Sequence, residues 1–168
     1  MGTRSTIALE FADGTVQQVY CHWDGYLEHN GAILKEHYLN PFKLRDLIDL
    51  GDLSSLRPEI GDKHPFSQFG LNKEDPDFDE QIALYEKAEA LGWSTFYGRE
   101  RGEDCPARKY ANVNEYFTDA QQEEYDYILR EVCGTPVWFV RCYATDGAWV
   151  TIPQAEGLIE QMNEEKVF

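Results

Sequence analysis

The stretch "VYCHWDGYLEHNG", Val19–Gly31, sets Cys21, His22, Asp24, Glu28 and His29 beside Tyr20, Trp23 and Tyr26. Two chemistries use such residues. A thiolate beside an imidazole is an activated nucleophile, and two histidines with a carboxylate form a metal site. Cys21 and His22 are neighbours on a predicted strand, so their side chains point to opposite faces and cannot pair with each other. His22 and Asp24 are two apart and share a face; with His29 they complete a two-histidine, one-carboxylate set. Short patterns of this kind match often by accident. The architectural reading is therefore preferred: Trp23 packs under a sheet, Asp24-Gly25 turns the chain, Tyr26 and Leu27 anchor it, and Asn30 caps a helix. No metal and no cofactor is expected.

The only basic concentration is "YGRERGEDCPARKY", with Arg99, Arg101, Arg108 and Lys109. Guanidinium groups hold phosphate or carboxylate, although Glu100, Glu103 and Asp104 in the same stretch can neutralise them. If His22, Asp24 and Tyr26 converge with Arg99 and Arg101, the pocket suits binding of a nucleotide or small molecule, or its hydrolysis. There is no phosphate-cradling glycine loop, dinucleotide fingerprint or serine-centred elbow.

Acids are better organised. The spacing predicts a helix over Asp119–Val132, opened by a Thr118/Gln121 capping box and closed by Gly134 and Pro136. On it Tyr125, Ile128, Leu129 and Val132 share one face, while Asp119, Glu123, Asp126 and Arg130 line the other. "EDPDFDE" adds Glu74, Asp75, Asp77, Asp79 and Glu80 with no base. A stripe at four-residue spacing offers one carboxylate per ~6 Å, against one phosphate per ~3.4 Å of DNA strand. One stripe is too sparse to imitate DNA; mimicry needs both acidic segments, with Asp46 and Asp49, on one surface.

Period-two alternation gives the first hairpin, with Ile7, Leu9 and Phe11 facing one way, Asp13-Gly14 at the turn, and Val19, Cys21 and Trp23 on one face of the return strand. Asn40-Pro41 starts a helix that Gly51 stops. A long irregular stretch begins at about residue 52. Asp77 caps a helix to Leu91, ended by Gly92. "STFYGRERGE" is a short strand leaving the core at Gly98, and "CPARKYANVNEYF" is irregular. "VWFVRCYATDGAWVTI" is a second hairpin turning at Asp146-Gly147, and Pro153 opens a last helix before a fraying "NEEKVF". The class is α+β: an antiparallel sheet of two DG-turn hairpins plus a short extra strand, with helices on one face. Residues 1–168 form one domain carrying a loop and helix insertion at about 52–92. Ile7, Leu9, Val19, Cys21, Trp138 and Val140 are the expected core, with Trp23 and Tyr26 buried.

The 168 residues carry 31 acids against 15 bases, net −16, with 42% hydrophobic and 14% aromatic residues. That composition builds a core, and its sign opposes direct binding to nucleic acid or anionic membrane. No apolar run approaches the ~18 residues of a membrane span. The start lacks a signal-peptide pattern, and "MGTRST" matches a myristoylation signal only by chance. Cys21, Cys105, Cys133 and Cys142 form no zinc-type pair and are read as reduced cytosolic thiols.

"TRSTIA", "VYCHWDGYLEHNG" and "LGDLSSL" together resemble a family of short bacteriophage and prophage proteins, over about residues 3–56. "FYGRERGE" and "YATDGAWV" are weaker matches. The resemblance implies a phage accessory protein in the bacterial cytoplasm and carries over no catalytic residue. The leading expectation is binding, with inhibition of a basic host protein such as a restriction or CRISPR effector. The alternatives are the small-molecule pocket and a structural or regulatory phage protein.

Overall fold

The computed structural model describes residues 2–165. Strands β1 (Ser5–Glu10) and β2 (Val16–Cys21) form the expected hairpin, with Ile7 opposite Val19 and Gly14 at positive φ in the turn. A π-helical turn, Leu27–Gly31, runs into α1 (Ala32–His37), and α2 spans Pro41–Asp49. Asn40 accepts the Phe42 N–H at 2.9 Å, and Pro41 occupies the first turn, as expected of that pair. Leu44, Leu47 and Ile48 are fully buried at helical spacing; each contributes roughly 1.5–3 kcal/mol.

β3 (Leu53–Ser55) returns parallel to β2, so the "LGDLSSL" segment is a sheet strand and the irregular excursion begins only beyond it. α3 (Phe78–Leu91) ends at left-handed Gly92 as read, though the Asp77 side chain makes no capping bond. β4 (Thr95–Phe96) pairs with β3 and leads into α4 (Tyr97–Arg101). "CPARKYANVNEYF" is not irregular: it holds β5 (Arg108–Tyr110), on the outer edge of β2, and α5 (Val113–Asp119), capped by Asn112.

The expected helix over Asp119–Val132 does not exist. Beyond α5 the chain forms β6 (Tyr125–Val132), which lies parallel to β1 on one side and antiparallel to β7 (Thr135–Cys142) on the other. A central strand is buried on both faces, so its apolar run is nearly continuous and does not alternate. Gly134 and Pro136 do not end a helix. Cys133-Gly134 is a two-residue hairpin turn, with φ of 52° and 82°, and Pro136 lies in the following strand. The segment through Asp146-Gly147 makes a wider connection to the two-residue β8 (Val150–Thr151), and Asp146 is left-handed. α6 (Ile152–Glu165) follows; the expected fraying at Lys166–Phe168 lies outside the described residues.

The mixed, mostly antiparallel sheet is ordered β4-β3-β2-β1-β6-β7-β8, an α+β fold. Ile7, Leu9, Val19, Cys21, Trp138 and Val140 are all buried, in a core shared with α1, α2 and α6. Helices are not confined to that face. α5 covers the other, where Tyr116 and Phe117 gather with Ala8, Val16 and Ile128.

Cys133 is the exposed residue in the first position of its turn, at positive φ that a β-carbon disfavours. Asparagine tolerates that conformation and is the preferred residue there. Cys133→Asn is expected to stabilise the protein by about 0.5–1 kcal/mol, read as a higher urea midpoint. An unchanged or lower midpoint would argue against the tight turn.

Candidate functional site

The motif at Val19–Gly31 builds a hydrogen-bonded knot. Asn30 is fully buried, and it does not cap a helix. Its amide nitrogen donates to Ser5 Oγ and the Trp23 carbonyl, both at 3.2 Å, and stands 3.5 Å from Cys21 Sγ. Its Oδ1 accepts from His29 Nδ1 at 2.8 Å. Asp24 turns the chain at φ 58°, and Gly25 then runs against β1, donating to the Thr3 carbonyl at 2.7 Å. A β-carbon at Gly25 would stand 2.7 Å from Ser5 Cβ, so only glycine fits. Tyr127 donates to the Gly25 carbonyl at 2.6 Å. "TRST" and "CHWDGY" are thus two halves of one joint between β1, the end of β2 and the π-turn.

The candidate chemistry does not assemble in that joint. Cys21 is sealed, and burial pushes its thiol up to about 11, so it stays protonated at neutral pH. His22 Nδ1 is hydrogen-bonded to the Tyr20 hydroxyl at 2.7 Å on the opposite face. Trp23 does not pack under the sheet. β2 ends at Cys21, the Trp23 N–H bonds the Ser54 carbonyl, and the ring is 43% exposed against His22. Tyr26 is half-buried. Among the described residues, no group of three or more His, Cys, Asp or Glu is placed to hold a metal ion.

Arg99 is a strut. It donates to the carbonyls of Gly61, Ile60 and Ser94 at 2.8–3.0 Å and to Glu100 at 2.5 Å. The Glu100 side chain is wholly buried, and it also accepts the Phe96 N–H at 2.6 Å. Arg101 stacks on Phe66 at 4.2 Å and pairs with Glu103. Arg108 forks onto Asp52 at 2.9 and 3.1 Å, and Asp52 also accepts the Tyr20 N–H. Arg99 is therefore spent inside the fold and Arg108 on Asp52, whereas Arg101 pairs with Glu103 at the surface and Lys109 is exposed. His22, Asp24, Tyr26, Arg99 and Arg101 line none of five surface concavities of about 280–480 Å³ among the described residues.

The acids divide sharply. Asp126, expected on a solvent stripe, is 1% exposed near the start of β6. It accepts Thr6 Oγ1 at 2.7 Å and the Glu123 N–H at 3.0 Å, and lies 3.4 Å from Arg141. Burial holds its carboxyl above the usual range. Glu123 is half-buried and accepts from Gln121, while Asp119 is exposed at the end of α5. Glu74, Asp75, Asp77, Asp79 and Glu80 are all exposed around the start of α3. None of the five joins an ion pair among the described residues, whereas Glu10, Asp52, Glu89, Glu100 and Glu103 do.

Comparison with known proteins adds no identification: no protein family, curated protein or solved structure matches the chain. Among the described residues no helix is long and apolar enough to cross a membrane.

Sequence reasoning missed Asp52, gave Asn30 the wrong role, and named Glu100 as a neutraliser of the arginines without foreseeing that the pair is buried. A signal existed for one of them, since an Asn between two apolar stretches near two glycines suits a buried polar tie. The partners of Asp52, the Tyr20 N–H and Arg108, come from segments distant in sequence.

Proposed function

We propose that the protein is an acidic accessory protein of a bacteriophage or prophage that works in the bacterial cytoplasm by binding. Its target is a host protein with a basic, nucleic-acid-holding surface, of the defence, restriction or CRISPR kind, which it inhibits. The observation that carries this reading is the Glu74–Glu80 segment: five exposed carboxylates, unpaired among the described residues, in a chain of net charge −16. Such a segment steers association with a positive surface and competes there with phosphates. Asp119 can add to it; Asp126 cannot. The N-terminal resemblance supplies the phage context.

Immobilised protein exposed to bacterial lysate at ~0.1 M salt is expected to retain a basic nucleic-acid-binding protein. Release should follow at ~1 M, where the Debye length falls from ~10 Å to ~3 Å. Addition of the protein should lower that partner's nucleic-acid binding, and the protein itself should not bind DNA. Retention indifferent to salt, or direct affinity for DNA, contradicts the proposal.

A further inference from the structure

A concavity of about 480 Å³ lies between the Leu27–Gly31 turn and α6. Its apolar lining is Leu27, Ala32 and Ile159; its carboxylates are Glu28, Glu156, Glu160 and Glu164. The last three stand at four-residue intervals on a real helix, one every ~6 Å along its axis. Lys35 pairs with Glu156 at 3.3 Å, with both side chains nearly half exposed. Such a pair holds weakly. Glu28, Glu160 and Glu164 join no ion pair among the described residues.

We infer that this groove receives a short amphipathic segment of a partner protein, apolar in its centre and flanked by Lys or Arg. The apolar lining supplies burial and the carboxylates fix register, which is how helices dock in grooves. Charge selects the occupant. A second copy of this chain, itself at −16, would bring acid to acid. The inference rests on the proposed binding of a basic partner but locates a contact distinct from Glu74–Glu80.

The test uses the full chain and two synthetic peptides of equal charge, one with lysines flanking leucines at helical spacing and one with serine in place of leucine. The lysine–leucine peptide is expected to bind at low salt, and the serine peptide about tenfold more weakly. Glu28→Gln with Glu160→Gln and Glu164→Gln should weaken the first peptide by about tenfold. Neutralising all five acids at 74–80 removes more charge but should leave its affinity within about twofold. Amide exchange on the unmutated protein supplies a readout that needs no variant: bound peptide should protect residues 27–32 and 156–164. Equal binding of both peptides, a larger loss from the 74–80 variant, protection elsewhere, or peptide-induced pairing of two copies through this groove overturns the inference. If the lysate partner is still captured while the groove fails these tests, the groove alone is wrong; if capture fails too, the binding reading falls with it.

Discussion

Asp126→Ala is expected to destabilise the protein by about 3–5 kcal/mol, the scale for removing one member of a buried ion pair. The carboxylate serves Thr6 Oγ1, the Glu123 N–H and Arg141 together. Its loss leaves two donors without an acceptor. It also strands a guanidinium that is only 14% exposed and stacked on Trp149 at 4.7 Å. Asp126→Lys adds a second cation beside Arg141 and should prevent folding. Asp119→Lys, at an exposed position, should stay within about 0.5 kcal/mol of the parent. Urea unfolding followed by tryptophan fluorescence separates these outcomes. Near-equal midpoints for the 119 and 126 variants would instead favour a solvent-facing helix.

A pH dependence follows from the same burial. The Asp126 carboxyl is raised in the folded state. Below the unfolded value, near 3.9, both states are protonated. Between that value and the raised folded one, the native state holds the proton and the unfolded state does not, so stability falls as pH rises. Relative to Asp126→Asn, the parent should therefore lose stability as pH climbs from about 4, and level off above the folded value.

Arg99→Ala should be comparably severe, at about 3–5 kcal/mol. It frees three carbonyls and leaves the fully buried Glu100 carboxylate without its closest cation; His64, 3.7 Å away, cannot replace the fork. For a chain of this size that corresponds to a fall in melting temperature of roughly 10 °C or more. Arg99→Lys should recover little, because an ammonium cannot span the same planar set of acceptors. An anion-binding arginine would behave oppositely, with stability kept and phosphate affinity lost.

These two residues show where the sequence was legible. The first hairpin could be read because Asp13-Gly14 and period two agree. α2 could be read because Asn40, Pro41 and three core residues coincide. β6 could not, since Tyr125, Tyr127, Ile128 and Leu129 are buried on both faces, and a doubly buried strand lacks the alternation that identifies strands. Its turn is marked by cysteine before glycine, a weak signal beside Asn-Gly. With the wrong period, Asp126 fell on the solvent side; in the sheet it points at Thr6 and Arg141. Trp23 was misplaced because alternation was carried past Cys21, where the strand stops. Arg99 was read as either an anion site or neutralised by nearby acids; its pair with Glu100 fits the second, and only the return of residues 60–61 to α4 shows that backbone carbonyls hold it as well. The acids at 74–80 were legible because a charge run without bases around a helix start has few ways to be buried.

The most direct measurement compares capture of the lysate partner by the parent and by a variant with Glu74→Gln, Asp75→Asn, Asp77→Asn, Asp79→Asn and Glu80→Gln. All five positions are exposed, so the melting temperature should hold. At ~0.1 M salt the variant is expected to capture about tenfold less partner, mainly through slower association. Undiminished capture by the folded variant would contradict a role for these carboxylates in binding.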